Sequence, residues 1–490
     1  MDYEMRSVMR PVFPQVSRWT SRPWLSSWMM LLWVALACIC AAMPGRAAPN
    51  GDIAKHQGSE PSSALADYVA KPDSSFSWRE ISEGRVGDTS FVAFMMVSQT
   101  WRGTPWKHLF FVLRPDSMQA DASQALLFVH GGRWKQEYEN ITDKFELPRQ
   151  AKIFARLAET VHAPVGVLLQ VPFQPMFERK EDALIAYTFD KYLQTGEQDW
   201  PLLLPMVKSA TRAMDVMQEV MRKRWDLSID SFTVTGASKR GWTTWLTAVA
   251  DQRVAGIVPI VIDVLNMQVQ MKHQRETWGE LSDEIGDYTG LDIPSRLRTP
   301  QGQDLLSIVD PYSYRKQLDQ PKLIMLGTND RYWPLDALRI YWDDLPEPKS
   351  VLYVPNQGHG LRDLDRVIGS VSALHRYSAA GKPLPHLSWQ FAPTDRDMTV
   401  TVSADRAAER VTLWRAQSAS RDFRDSRWRS HRCQSVKGKN EFVCSRPREK
   451  QDYTAIYAEL SFADKGEADF SLSTTVCIAE PVSGGAAPEC

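Results

Sequence analysis

The sequence predicts an α/β protein: a mostly parallel sheet with helices on both faces, followed by a small antiparallel, sandwich-like β domain. Three observations predict it. Between about residues 86 and 386, short β-rich runs alternate with helical stretches, as in strands joined by crossover helices. Within that region, residues 231–242 pass from a β-rich run through Gly236-Ala237-Ser238 directly into a helix-forming stretch. From about Leu387 the pattern becomes short alternating strands at 398–402, 410–414 and 453–460.

Taken in order, Arg6, Arg10, Arg18 and Arg22 precede an apolar run over 28–42. A run of roughly fifteen residues is short for a membrane span and right for a signal-peptide core. Residues 1–42 are therefore expected to be a signal peptide cut near Ala42, with an uncleaved membrane anchor as the alternative. Residues 43–85 read as a polar extension with little periodicity. Strands are expected at 91–99, 107–113, 125–129 and 165–171, with a helix at 151–160 before the last of these. An insertion rich in aromatics and acids occupies about 172–206. Val207, Ala210, Met214, Met217, Val220 and Met221 then recur at helical spacing and mark a core-facing helix to Arg224. A strand at 256–262 follows, then a second insertion over 264–318, then strands at 321–327 and 350–355. Two insertions at the carboxyl edge of such a sheet would roof a site; Trp278, Tyr288, Tyr312 and Tyr314 could line it or form a small satellite core of their own.

Chemistry-bearing residues fall at the ends of these strands. A serine held in a sharp strand-to-helix turn needs small neighbours where the backbones nearly touch. Gly236 and Ala237 supply one side; the second glycine comes at Gly241, giving G-x-S-x-x-G around Ser238. Downstream, Asp330 follows the strand at 321–327, and His359 follows the strand at 350–355. Ser, Asp, His is the chain order of a nucleophile, its orienting acid and its base in such a sheet. Asp263, after the strand at 256–262, is the rival acid, and Asp330 is preferred because the next strand and loop carry His359. Upstream, His130-Gly131-Gly132 ends the strand at 125–129. Its glycines would let N–H groups approach an oxyanion beside the N–H of Lys239, with His130 as a structural partner of its loop.

Several motifs resemble one family, the PhoPQ-activated pathogenicity-related proteins. They are Glu181-Asp182-Ala183-Leu184-Ile185-Ala186-Tyr187, the Trp200-Pro201-Leu202 to Pro205-Met206-Val207-Lys208 run, Gly236-Ala237-Ser238-Lys239-Arg240-Gly241-Trp242, Asp310-Pro311-Tyr312-Ser313-Tyr314, Gly327-Thr328-Asn329-Asp330 and Pro355-Asn356-Gln357-Gly358-His359. The resemblance runs from about residue 65 to near the C-terminus and implies an α/β-hydrolase-type fold with Ser238, Asp330 and His359 as nucleophile, acid and base. It implies no substrate. The elbow is also similar to that of glucuronoyl esterases, where an arginine after the serine helps hold the oxyanion; this implies such a role for Lys239 and favours an ester substrate.

With 43% hydrophobic and 24% charged residues in 490, the chain can bury a large core. A formal net charge of −1 argues against the basic face that nucleic-acid binding needs, and the arginines of 421–432 read as a solvated face. No His/Cys/Asp/Glu cluster has metal-ligand spacing, and no nucleotide-phosphate motif is present, so neither metal nor cofactor is expected. Cys433, Cys444, Cys477 and Cys490 remain after removal of the leader. An even number of late cysteines in an exported chain reads as disulfides, with free buried thiols as the alternative. Cys433 and Cys444 flank the polar turn at 437–440 as a hairpin staple would, although four cysteines formally allow three pairings.

The resulting expectation is a periplasmic or secreted serine hydrolase acting on a small-molecule, carbohydrate-ester or peptide substrate, with no nucleic acid and no stable membrane span after cleavage. The alternatives are a peptidase of the same fold and a non-catalytic secreted factor using the fold as a binding scaffold.

Overall fold

A computed structural model describes residues 59–482 apart from 120–121, 142–144 and 146. The expected signal peptide and Cys490 lie outside the described residues. Eighteen strands are formed among them: β1 (Ser77–Val86), β2 (Thr89–Trp101), β3 (Thr104–Pro115), β4 (Gln124–Val129), β5 (Val165–Leu168), β6 (Ser231–Ala237), β7 (Val254–Ile260), β8 (Lys322–Gly327), β9 (Lys349–Val354), β10 (Leu387–Phe391), β11 (Asp397–Ala404), β12 (Arg410–Ser418), β13 (Arg429–Arg432), β14 (Gln434–Ser435), β15 (Glu441–Pro447), β16 (Tyr453–Phe462), β17 (Phe470–Ser473) and β18 (Cys477–Ala479). The helices are α1 (Ala64–Ala70), α2 (Ala151–Val161), α3 (Glu181–Thr195), α4 (Leu203–Trp225), α5 (Lys239–Ala250), α6 (Met267–Trp278), α7 (Gly286–Thr289), α8 (Ile293–Arg296), α9 (Pro300–Val309) and α10 (Leu364–Ala379).

The central sheet runs β1-β2-β3-β5-β4-β6-β7-β8-β9 and is parallel from β5 to β9. Both faces are buried, and alternate residues supply two separate cores, as a helix-covered parallel sheet requires. In β4, Ala125, Leu127 and Val129 face the core containing α4 and α5, whereas Leu126 faces the core of α2 and α10. In β8, Ile324 and Leu326 belong to the first, Leu323 and Met325 to the second. All six apolar residues expected on the core face of α4 are buried.

Residues 43–85 differ from the expected polar lead-in where they are described. Leu65 of α1 is buried, and β1 pairs with β2 from Ser77↔Val97 to Val86↔Thr89. β1 is an edge strand with only Ile81 buried, so its sequence carries almost no alternation and its pairing is imposed by β2. β5 stops at Leu168 although β-type sequence continues to Val171, because Gln170 takes a positive φ of 56°.

The C-terminal strands divide between two sheets. β10-β11-β15-β14 forms a separate antiparallel sheet, while β17-β16-β12-β13 continues the central sheet from β9, with β18 also on β16. The junction is the pair Ser473↔Val351, reinforced by the Tyr353 N–H donating to Ser473 Oγ at 3.1 Å. The alternation crosses it intact: Ala455 and Tyr457 lie in the first core, Ile456 and Ala458 in the second. Extending the sheet in this way covers the bare edge that β9 would otherwise present.

Cys433 and Cys444 are bridged across an antiparallel pair in which Gln434 faces Val443, with Cα atoms 4.7 Å apart. The intervening turn contains Gly438 at φ 78°, a conformation that favours glycine. Closing so short a loop contributes on the order of 3 kcal/mol in the chain-entropy description. Replacing both cysteines by Ser is expected to lower unfolding free energy by about 2–4 kcal/mol and leave turnover unchanged; chemical denaturation and an activity assay on the same preparation check both halves. Cys477 is buried in β18.

Candidate active site

β6 ends at Ala237, and Ser238 occupies the turn before α5 with φ 58° and ψ −125°. A non-glycine residue held there is strained by about 1–3 kcal/mol, a cost that persists only when surrounding structure dictates it. The dictation comes from two glycines. A Cβ on Gly236 would lie 2.7 Å from the carbonyl oxygen of Arg240, and one on Gly241 would lie 2.6 Å from Ile262 and 3.0 Å from the carbonyl oxygen of Gly236. Gly241 thus does the packing that a glycine two places after the serine would otherwise do, which accounts for the displaced spacing.

Asp330 lies in the turn after β8, and His359 in the loop after β9. Ser238 Oγ is 2.8 Å from His359 Nε2, and His359 Nδ1 is 2.9 and 3.2 Å from the two Asp330 carboxylate oxygens. Asp330 is itself braced by accepting the N–H of Tyr332 at 2.9 Å, and the Tyr332 ring stacks on His359 with centroids 4.1 Å apart. Asp263 is not part of this line: it is fully buried near Tyr341, and burial, with the Asp330 and Asp336 charges adding to it against the Tyr341 hydroxyl, pushes its carboxyl up to about 8. It shares a small cavity wall with Asp330 but no hydrogen bond with His359.

His130 bonds only locally, its Nδ1 donating to the Gly131 carbonyl at 3.2 Å, and it packs edge-on against Phe154. Gly131 has a steric reason to be glycine that the sequence did not disclose: a Cβ there would lie 2.6 Å from Arg240 Cζ. Gly132 has φ 120°, open only to glycine at little cost.

Arg240 and Lys239 are tied to the acid pair that opens α3. Arg240 grips Glu181 with two bonds of 2.7 and 2.9 Å and donates its Nε to the Val171 carbonyl; Lys239 Nζ donates to Asp182 at 2.7 Å and lies 3.4 Å from Glu181. Burial alone would raise the Glu181 carboxyl, but Arg240, Gln174 and Lys239 together bring it down to about 2. Gln174 completes the brace by donating to both Glu181 and the Gly132 carbonyl. Glu181, Asp182 and Gln174 were not identified as site residues from the sequence; the available signal was an adjacent acid pair matching the adjacent Lys239-Arg240 pair in charge.

Residues 65–424 match the PhoPQ-activated pathogenicity-related protein family. The chain belongs to that family. Among named relatives, autocrine proliferation repressor protein A of Dictyostelium discoideum is 31% identical over 391 residues, covering 75% of this chain and 76% of the relative. In backbone, this PhoPQ-related protein is similar to an acetyl xylan esterase from Paenibacillus sp. R4 (14% identity, TM-score 0.45, 65% of this chain and 92% of that one). It is also similar to a glucuronoyl esterase from Solibacter usitatus (12% identity, TM-score 0.37, 64% and 91%).

In the PhoPQ-related chain, a pocket opens beside Ser238 and His359 with about 580 Å³ of empty space, its mouth included. The second insertion roofs it through α6, α7 and α8. Of the four aromatics expected to line it, only Tyr288 does. Tyr312 and Tyr314 are buried in the core, because their hydroxyls find Asp344 and the Ile308 carbonyl, and Trp278 lies under the Arg424 guanidinium. The arginines of 421–432 are correspondingly not all a solvated face: Arg421 bonds the buried Asp336 at 2.9 Å. Among the described residues, no group of three or more His, Cys, Asp or Glu could hold a metal, and no helix is long and apolar enough to cross a membrane.

Proposed function

We propose that the protein is an exported serine hydrolase that works by acyl transfer, with ester substrates preferred. The reading is carried by the unbroken line from Asp330 through His359 to a Ser238 hydroxyl held in a strained turn. Ser238 Oγ attacks the substrate carbonyl carbon, passing its proton to His359 Nε2 while Asp330 stabilises the resulting imidazolium. The tetrahedral adduct collapses to an acyl-serine as the scissile bond breaks and His359 returns the proton to the leaving oxygen. Water, deprotonated by the same imidazole, then releases the acid and restores Ser238. Lys239 is the first residue of α5, so its backbone N–H has no partner within the helix and is available to the oxyanion, with the Gly131-Gly132 turn as the second donor. The Lys239 ammonium is already held by Asp182 and enters this scheme only as part of an ion pair.

Export is supported by the Arg-flanked apolar run at the N-terminus and by the Cys433–Cys444 bridge, which an oxidising compartment preserves. Fluorophosphonate labelling followed by a panel of p-nitrophenyl esters and aminoacyl anilides tests the reading. Labelling at Ser238 with ester turnover is expected; anilide turnover exceeding ester turnover would make the protein a peptidase. The name of the Dictyostelium relative favours a second reading, a secreted factor whose hydrolase fold serves protein contacts. Absence of both labelling and turnover in folded protein would favour it.

A further inference from the structure

Building on the serine-hydrolase reading, we infer that the acyl part of the substrate is an uncharged hydrocarbon group several carbons long. Behind Ser238 the pocket wall is made by Trp242 of α5, Ile262 and Val264 after β7, and Trp333 after Asp330, and its roof by the second insertion. The roof contributes Met267 and Met271 from one helix and Ile293 and Leu297 from the α8 segment. Paired methionines adapt their shape to flexible apolar groups. The charged groups on this wall are paired with each other: Asp182 accepts from Lys239 at 2.7 Å and from the Tyr288 hydroxyl at 3.1 Å. A charged acyl group would meet no unpaired counter-charge there, and a hydroxylated one would give up water for aliphatic carbon without replacement hydrogen bonds. An acetyl group would leave most of the wall uncovered.

The experiment is hydrolysis of p-nitrophenyl esters from acetate to octanoate at constant leaving group, with fluorophosphonate labelling of the same preparation. Burial of a methylene is worth about fourfold, so kcat/KM should rise on the order of a hundredfold from acetate to hexanoate. Met271→Trp and Leu297→Trp should each cut the hexanoate-to-acetate ratio at least tenfold, with folding checked by thermal melting. Turnover that is flat or highest with acetate, while Ser238 still labels, overturns the acyl assignment and leaves the hydrolase intact. A gain seen instead across acetate esters of lengthening alcohols places the leaving group in the pocket and equally overturns it. Absence of both turnover and labelling removes the hydrolase reading and this inference together.

A different observation carries a second inference: the geometry points to the segment 421–428, after β12, as a clamp that holds the loops of Asp330 and His359. Asn329 Nδ2 donates to the carbonyls of Phe423, Arg424 and Ser426 at 3.3, 3.2 and 2.7 Å. Asn356 makes a reciprocal pair with Trp428, accepting its N–H at 2.8 Å and donating to its carbonyl at 3.1 Å. Phe423 and Trp428 are buried anchors of that segment. The two loops also meet each other, since the Asn356 N–H donates to Thr328 Oγ1 at 2.9 Å and a Cβ on Gly327 would lie 2.5 Å from the Gln357 carbonyl oxygen. Asn329 and Asn356 are positioning residues in this scheme, next to Asp330 and three before His359. Asn329→Ala and Asn356→Ala should slow fluorophosphonate labelling of folded protein about tenfold and lower kcat with KM within about threefold, because small misplacement of a base is costly. Asn356→Asp, which still accepts the Trp428 N–H, should recover part of the loss. Arg85→Ala, which breaks an exposed pair to Asp116 away from both loops and from the 421–428 segment, serves as the control with unchanged rates. Alanine variants that melt earlier yet label at the normal rate per folded molecule would show the contacts to be merely structural and overturn the clamp.

Discussion

Ser238→Ala and His359→Ala are each expected to lower turnover on the order of 10⁴-fold or more, and the double variant to be no worse than either single one. The non-additivity follows from the 2.8 Å contact between Oγ and Nε2: the hydroxyl is a poor nucleophile without the base, and the base has no proton to take without the hydroxyl. Ester turnover and fluorophosphonate labelling of all three variants make the measurement. Full activity in Ser238→Ala would end the acyl-enzyme mechanism. Additive losses would show that the two groups act in separate steps.

Asp330→Asn is expected to keep the fold and cost about 10³–10⁴ in turnover, because the amide would favour the wrong imidazole tautomer at His359 Nδ1. Asp263→Asn is the matched comparison and should cost less than about tenfold, since Asp263 is buried near Tyr341 and the imidazole nitrogen is taken by Asp330. The comparison variant carries its own stability signature. A carboxyl at about 8 in the folded protein and 3.8 ordinarily holds its proton longer when folded. Native stability should therefore fall as pH rises between those values, and Asp263→Asn should remove that decline. Urea melts from pH 4 to 9 read it directly. If Asp263→Asn is crippling and Asp330→Asn mild, the acid has been misassigned while the hydrolase reading survives.

The alternation of strand and helix was legible because each element buries its apolar residues at its own period: Val207 to Met221 at helical spacing, Leu323 to Leu326 as a fully buried run. The elbow and the two loops were legible because they sit at strand ends with turn residues around them. β1 was not, since an edge strand with Ile81 as its one buried residue shows almost no alternation. Which insertion aromatics line the pocket was not legible for a related reason. Tyr288 faces the pocket while Tyr312 and Tyr314 face the core, and composition does not say which way a tyrosine in an insertion turns.

By itself, then, the sequence determined the order of the elements and the identity of Ser238, Asp330 and His359 as the groups to watch, because strand ends, turns and chain order are local properties. Tertiary structure alone decided that Asp330 and not Asp263 bonds the imidazole, that Glu181 and Asp182 neutralise Lys239 and Arg240, and that residues 423–428 bond to the loops of both Asp330 and His359. These are contacts between segments separated by 57 to 97 positions or lying on different strands, and their partners are chosen by how the sheet stacks β8 beside β9 and β16 beyond it. No local propensity encodes such a choice; it emerges when buried charges and amides must find partners in the packed interior.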